Sequence, residues 1–417
     1  MTVNNSVFLC GYFSVPNLNT GFAPSGWQAQ EYTEAQIREL DNYYLPEFTA
    51  FMATSVRKYI LPIQKNISFA ITDTITIPLL LNNIKMYIAP FGMILYAIGI
   101  EAENIEYNIL ARALNSLRNC GYYGKQHEEF VELAIKPVLD IYCSLLNKTT
   151  DTGDSDFSFL IESGNKFKLF QAISSEQIRS MLDDDEESSR FIYAAGTLSP
   201  YEKGNLGITA ETYYKQIIAE HLVSVFKGWK ALTLLDTFTM LSIDTPDWVI
   251  NNWKTDYFDM IYIYQLFRKV FLYNVNTRYR HRTTDVELLE QQLKAFEQQY
   301  SFNSVSYNFL PNLINEALEK SQSTAEDSNQ LYKMISREMD ARKEAADEKT
   351  NKFLTFLTVV TIFSAIYDIT CLLDESFHYD HFFQQSMFGY RLVSIALLLL
   401  IVIVYLIVLL IYKKHKK

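Results

Sequence analysis

The clearest hydrophobic pattern lies at residues 353–417, where two long apolar runs flank a short polar segment. The runs cover residues 353–373 and 392–412. Each has roughly 20 residues, the length that an α-helix needs to cross about 30 Å of hydrocarbon. The pattern predicts an integral membrane protein with a first transmembrane helix at 353–373, an outer loop at 374–391, a second transmembrane helix at 392–412 and a basic tail at 413–417.

The two predicted transmembrane helices differ in how polar residues are distributed. The second is apolar on every face, which is typical of a helix surrounded by lipid. Six polar residues recur along the first at steps of three and four, close to the 3.5-residue period that keeps side chains on one face. They are Asn351, Thr355, Thr358, Thr361, Ser364 and Asp368. The spacing predicts one continuous polar stripe that lines a pore.

Asp368 is the residue of this stripe that most favours a pore, because a carboxylate inside a membrane is costly unless it meets water, a cation or a partner. A water-filled lumen would meet that need, and it requires several copies in a ring because one stripe cannot enclose a pore. In the alternative interpretation, the hydroxyls bond back to their own helix and the small residues only allow close packing.

Residues 324–352 predict a stalk helix that runs directly into the first transmembrane helix. This segment contains no proline or glycine, is rich in good helix formers, and places apolar residues at three-to-four spacing. Such a stalk can transmit movement from a soluble domain to the pore. An ordinary coiled-coil oligomerisation helix is equally compatible with the spacing.

The preceding residues predict a soluble α/β domain at 1–205 and a helical part at 206–323. Alternation and β-branched content indicate strands, and amphipathic periodicity indicates helices. The predicted strands are 67–72, 76–81, 85–89, 92–101, a pair within 157–172, and 190–195; the predicted helices are 104–119, 128–146, 210–241 and 246–279.

Charge and cysteine content limit the function and the location. A net charge of −11 argues against a nucleic-acid-binding surface. The four cysteines lack zinc-site spacing and suit a reducing cytosol, and no signal peptide is expected near Met1. The lysine-rich tail and the acidic loop place both termini in the cytoplasm of a multi-pass plasma (inner) membrane protein by the positive-inside rule.

No catalytic motif is present, so the chain is not expected to be an enzyme. Two charged groups suggest ligands instead. The outer loop would concentrate cations through Asp374, Glu375, His378, Asp380 and His381. Arg278, Arg280 and Arg282 form a basic group suited to the phosphates of a nucleotide. A helix end that neutralises acidic neighbours is the alternative for these arginines.

A soluble α/β domain, a long stalk helix and a C-terminal hairpin with a lysine-rich tail resemble the CorA superfamily of magnesium channels. The residues Thr350-Asn351-Lys352-Phe353-Leu354-Thr355, followed by Thr361-Ile362-Phe363, are similar to that family's entry into its first membrane helix. The resemblance covers residues 325–417 in sequence and only the architecture before them. It implies a CorA-like homopentamer with the first helix lining the pore.

The family's Gly-Met-Asn motif, which closes the first helix and gives magnesium selectivity, does not occur in this chain. Ungapped alignment from Lys352 puts Leu372-Leu373-Asp374 in its place. The resemblance therefore implies a channel without implying magnesium specificity.

Three functions follow as alternatives. The first is a channel gated by a ligand of the cytoplasmic domain, as in superfamily members of type III CRISPR antiviral defence that respond to nucleotide second messengers. The second is a constitutive transporter of magnesium or another divalent cation, gated by cytoplasmic metal. The third is a non-conducting membrane-anchored scaffold or receptor, which the polar stripe and Asp368 disfavour. Expected partners are membrane lipid, other copies of the chain, cations and a nucleotide ligand, but no nucleic acid.

Overall fold

The computed structural model describes residues 1–15, 18–19, 21–119, 127–146, 166–175, 185–226, 228–242 and 252–376. The chain divides into two compact units, Met1–Ile335 and Ser336–Lys417. The first is an α/β domain built on one sheet, and a long apolar helix follows it.

The described strands form one nine-stranded sheet. Their bounds are β1 Thr2–Ser14, β2 Gln28–Gln30, β3 Arg57–Thr72, β4 Ile75–Ala89, β5 Met93–Glu106, β6 Lys168–Ser174, β7 Leu222–Phe226, β8 Trp229–Thr233 and β9 Thr237–Ser242. The strand order is β2-β3-β4-β5-β1-β6-β9-β8-β7. Neighbouring strands are antiparallel except β6 and β9, which are parallel.

Helices cover both faces of the central strands. The α-helices are α1 Glu34–Leu40, α2 Pro46–Ala50, α3 Tyr107–Leu117, α4 Glu128–Phe130, α5 Lys136–Leu146, α6 Asp185–Thr197, α7 Glu211–His221, α8 Ile263–Arg280, α9 Val286–Tyr300, α10 Phe309–Gln322 and α11 Thr324–Ser376. Three π-helices occur in the described residues, at Phe51–Ser55, Val131–Ile135 and Trp253–Tyr262, and a short 3₁₀-helix lies at Pro90–Gly92. The central strand β1 is buried on both sides from Asn5 to Phe13, which explains its apolar sequence without alternation.

The predicted strands 67–72 and 92–101 are confirmed within β3 and β5, whereas the two predicted strands 76–81 and 85–89 are parts of the single strand β4. Two other predictions are wrong. Residues 190–195, predicted as a strand, lie inside α6, where three acidic residues occupy the first turn and favour a helix. Residues 222–241, predicted as the end of a long helix, form β7, β8 and β9 instead. The proposed change from α/β to helical structure near residue 205 is therefore wrong, because the sheet takes strands from both sides of it.

Part of the predicted strand pair within 157–172 lies outside the described residues, and its second member is found as β6. The predicted helix 246–279 is helical from Trp253 onward, first as a π-helix and then as α8. Helices 104–119 and 128–146 are confirmed within a few residues.

The long helix α11 joins the predicted stalk and the predicted first span. It begins at Thr324, after Ser323 in a left-handed conformation, and continues without a break to Ser376. Asp374 and Glu375, predicted as the start of the outer loop, therefore lie in the helix. His378, Asp380, His381, the second predicted span 392–412 and the tail 413–417 lie outside the described residues. Among the described helices, α11 is the one long and apolar enough to cross a membrane.

Candidate functional site

One face of the sheet, near β1, β4 and β5, carries the candidate ligand site. Side chains two residues apart on a strand share a face, so the β1–β5 and β4–β5 registers bring Phe8, Asn83 and Gly99 together. A Cβ on Gly99 would lie 3.1 Å from the Asn83 Oδ1 and 3.3 Å from the Phe8 ring. Glycine at this position thus lets a side chain from each neighbouring strand close over β5.

The π-helix Trp253–Tyr262 packs on this face through aromatic rings. The Phe258 ring stacks on Phe8 with a centroid distance of 4.0 Å and meets Phe170 edge-on at 5.0 Å. Tyr262 also contacts Phe170, with ring centroids 5.2 Å apart. These contacts fix the side of the π-helix that carries Asp259 against the sheet.

Asp259 is the buried charge at the centre of the site, and its side chain is only 6% exposed. Three donors from two strands surround its carboxylate. Lys85 donates to Oδ1 at 2.8 Å, Tyr87 donates to Oδ1 at 2.6 Å, and Lys58 donates to Oδ2. The Lys85 ammonium also lies 4.9 Å from the Phe8 ring centroid and 5.0 Å from that of Phe258. The network ties the π-helix to β3 and β4 by charge-assisted hydrogen bonds.

Burial and neighbouring charges shift the pKa values of Asp259, Lys85 and Tyr87. Burial alone would raise the pKa of Asp259, but the ammonium groups of Lys85 and Lys58 outweigh it and hold the pKa at about 2. Burial lowers the pKa of Lys85, opposed by Asp259. Burial, reinforced by the Asp259 charge, raises the pKa of Tyr87, so its hydroxyl stays protonated and donates. Burial and the proximity of Asp259 raise the pKa of Asp256.

A cavity of about 780 Å³ lies beside the network. Lys58, Lys85 and Asp259 line it, together with Asp256 and Lys254 from the same π-helix as Asp259. The ring of Tyr32 and several amide side chains also line the cavity, and these amides are Gln30, Gln36, Asn82 and Asn83. Its volume and its charges of both signs suit a small polar ligand.

A second cavity, of about 450 Å³, adjoins the first and shares three lining residues with it. The shared residues are Ser6, Glu101 and Lys254, and they are linked: Ser6 donates to the Glu101 Oε1 at 2.7 Å, and the Lys254 ammonium lies 3.7 Å from Oε2. Asn5 and Ser242, both 2% exposed, also line it, and the Asn5 Oδ1 and the Ser242 Oγ have no hydrogen-bond partner among the described residues. The two cavities together are called the cleft below.

The predicted pore stripe lies on α11, where all six of its residues are exposed. The hydroxyls of Thr355, Thr358 and Thr361 each donate to the carbonyl four residues earlier, at 2.7, 2.8 and 2.9 Å. The back-bonding considered as the alternative to a lumen is thus present. It uses the hydroxyl proton and leaves the oxygen lone pairs for water.

The predicted nucleotide-binding arginines lie at the end of α8 and are not among the residues that line the cleft. Arg278 donates to Thr284 Oγ1 and to Gln292 Oε1, both at 3.0 Å, and its partial burial lowers its pKa. Arg280 donates to Asn276 Oδ1 at 3.1 Å, and Arg282 has a left-handed backbone with a φ of 51°. Two of the three guanidinium groups therefore have internal partners, and the nucleotide assignment stays a prediction.

Sequence reasoning did not single out the residues of the cleft. Lys58, Lys85 and Asp259 are far apart in sequence and meet only through strand pairing and the packing of the π-helix. A signal was nevertheless present, because Lys85 and Asp259 each interrupt an apolar stretch, and a buried charge requires a partner. In the described part of the chain, no group of three or more histidine, cysteine, aspartate and glutamate side chains is arranged to hold a metal ion.

Comparison of the chain with protein-family models, with curated proteins and with solved structures found no match.

Proposed function

We propose that the chain is a CorA-like oligomeric ion channel of the plasma (inner) membrane, gated by a ligand of its cytoplasmic domain. The observation that carries the proposal is α11, a single helix that begins in the α/β domain and continues through an exposed apolar segment with a polar stripe. An uninterrupted helix can carry a displacement along its axis from the domain to the membrane.

The exposed apolar side chains support a membrane environment for the distal part of α11. Phe353 and Phe356 are 60% and 61% exposed, and Tyr367 is 69% exposed. Water disfavours a long apolar surface of this kind on a soluble protein, whereas lipid and neighbouring helices accept it. Residues 353–373 would span about 30 Å as an α-helix, which matches a hydrocarbon core.

The polar stripe supports a water-filled pore surrounded by several copies of α11. A threonine hydroxyl that donates to its own helix can still accept a hydrogen bond from water, so the bonds of Thr355, Thr358 and Thr361 are compatible with a wet surface. Asp368, on the same stripe, would attract cations in each copy. A homopentamer with the second helix on the outside is the arrangement that the family resemblance suggests.

The cleft supports gating by a small ligand. It combines a buried ion-pair network with polar atoms on the smaller cavity that lack a partner in the described part of the chain, features that a bound molecule would complete. Gating by a nucleotide second messenger in type III CRISPR antiviral defence is our first proposal. The alternative is a constitutive magnesium or divalent-cation transporter closed by cytoplasmic metal, and a non-conducting scaffold is the second alternative.

Ion flux from proteoliposomes that contain the purified protein tests these proposals. Flux is measured first with magnesium alone and then with a panel of cyclic oligoadenylates and adenosine conjugates. We expect no flux until one of the nucleotides is added. Spontaneous magnesium flux, stopped by magnesium on the domain side, would establish the transporter instead. The absence of flux under every condition would favour the scaffold.

The variant Asp368→Leu assigns the flux to the stripe. We expect it to abolish flux because the charge that attracts cations is lost, whereas Phe356→Leu on the other face of α11 should conduct normally. Unchanged flux in Asp368→Leu would remove the pore assignment.

A further inference from the structure

The π-helix that carries Asp259 is an unusual element for coupling two parts of a domain. It extends over ten residues, Trp253–Tyr262, and passes directly into α8. Its i→i+5 hydrogen bonds are rarer than the α-helical pattern and are frequent at functional sites. Conversion to an α-helix would wind these residues more tightly and turn the side chains on one side of it relative to α8.

One carboxylate links the π-helix to the sheet by hydrogen bonds. Asp259 accepts from Lys58, Lys85 and Tyr87, and these three side chains come from β3 and β4. Lys58 has the more accessible of the two ammonium-bearing side chains, 11% exposed against 7% for Lys85, and both line the larger cavity. A molecule in the cleft reaches the network most directly at Lys58.

The far side of the element is tied to the beginning of α11 through α8. The Lys269 ammonium donates to the Gln322 carbonyl at 2.7 Å, at the end of α10, and to Asp327 Oδ2 at 2.6 Å, in the first turn of α11. Arg268 pairs with Glu319 Oε1 at 2.8 Å. One turn earlier, Gln265 donates to Asn315 Oδ1 at 2.6 Å. Three α8 side chains thus make four polar contacts that bind α8 to α10 and to the start of α11.

We propose that Asp259 couples the cleft to the α10–α11 junction: a ligand that draws Lys58 away from Asp259 loosens the π-helix, and α8 transmits the change to Gln322 and Asp327. The inference rests on the proposed function only in placing the gating ligand in the cleft. Asp259 and Lys58 are positioning residues in this mechanism. Asp259 holds the π-helix in its wider winding, and Lys58 makes that hold sensitive to occupancy.

Amide hydrogen exchange of the full-length protein in phospholipid nanodiscs tests the coupling without any ligand. Lys58→Met removes one donor and imitates withdrawal of the ammonium. We expect exchange to accelerate at least tenfold in residues 253–280 and in residues 319–330, with no change in the central strands β1 and β5. Lys58→Arg, which keeps the charge and the donors, should restore the slow exchange.

Lys65→Met is the matched control, because Lys65 is another β3 lysine whose ion pair, with Glu129 at 3.2 Å, is exposed. It should leave both segments unchanged. Acceleration that stops at residue 262, or that is the same in Lys65→Met, would overturn the proposal. If Lys58→Met also accelerates amide exchange in β1 and β5, the variant has lost stability throughout the domain. Tyr87→Phe is then the deciding variant, because it removes one hydrogen bond to Asp259 and no charge. We then expect at least threefold acceleration in the same two segments, and its absence would likewise overturn the proposal.

Exchange and ion flux separate this inference from the channel proposal. Accelerated exchange at residues 319–330 in a protein that conducts no ions would retain the coupling and reject the channel. Ion flux with unchanged exchange at those residues would retain the channel and reject the coupling.

Discussion

The two units of the chain treat polar side chains in opposite ways. In the α/β domain, the Asp259 carboxylate is buried and receives three donors from neighbouring strands. On the distal part of α11, Thr355 and Thr358 are exposed and donate only to their own helix among the described contacts. The Asp259 network therefore fixes internal packing in the domain, whereas these threonines of α11 make no such cross-links among the described contacts and remain exposed.

Apolar side chains show the same contrast. Phe13 and Phe48 are fully buried in the domain, whereas Phe353 and Phe356 are more than half exposed on α11. The domain buries Phe13 and Phe48 among its own residues. The exposed apolar segment of α11 is long and apolar enough to cross a membrane, and lipid would cover such a surface.

The largest effect that the comparison predicts follows from Asp259→Ala. This change leaves Lys58 and Lys85 buried without their counter-charge, which should lower the free energy of unfolding of the domain by about 3–5 kcal/mol. Thermal unfolding of the purified protein in detergent measures the change. Glu34→Ala is the control, since its ion pair with Arg38 is exposed and should contribute less than about 1 kcal/mol. A loss no larger than that of the control would contradict the role given to Asp259.

Acid should weaken the domain through the same carboxylate. The pKa of Asp259 is depressed to about 2 in the folded protein, so its stabilisation is present above the ordinary aspartate pKa of 3.8 and is lost as the pH falls through about 2. The loss should be about 2 kcal/mol, which corresponds to a shift of nearly two pH units. Denaturant unfolding followed between pH 2 and pH 5 measures it.

The double variant Asp259→Asn/Lys85→Met provides the reference for the acid prediction, because it removes one charge of each sign from the network. Its stability should change less over the same pH interval than that of the wild type. Parallel pH profiles for the two proteins would show that the acid sensitivity arises elsewhere.

The smallest effect is expected for Thr358→Val on α11. The hydroxyl bonds only to its own helix among the described contacts, and valine has nearly the same shape, so thermal stability should change by less than about 0.5 kcal/mol. Its effect should instead appear in ion flux, which we expect to fall as the pore stripe loses a polar position. A large loss of stability would indicate that Thr358 packs within an assembly rather than facing water.

The long helix and part of the sheet could be predicted from local pattern. A segment without proline or glycine after Ser323 predicted the start of α11 at Thr324, and alternation predicted the strands that lie within β3, β4 and β5. Strand β1 was missed because burial on both faces removes alternation. Residues 222–241 were misassigned because short apolar runs fit a buried strand as well as a helix, and tertiary pairing decides between them.

The candidate site could not be predicted from local sequence pattern, for a different reason. The residues that meet at Asp259 come from β3, from β4 and from a helix more than 150 residues later, and only the sheet register brings them together. The predicted pore stripe, by contrast, lies on one helix, where spacing alone determines which residues share a face. Its residues could therefore be named from the sequence, although their surroundings could not.

Water access to the two faces of α11 tests the central claim most directly. Thr358→Cys on the stripe and Phe356→Cys on the other face are each made in a Cys371→Ser background, since Cys371 is exposed on the same helix. A charged thiol reagent is added to proteoliposomes under the condition that gives the greatest ion flux. Block of flux in Thr358→Cys, with Phe356→Cys unaffected, is the result that a pore lined by the stripe predicts. Equal block of both variants, or block of Phe356→Cys alone, would contradict it.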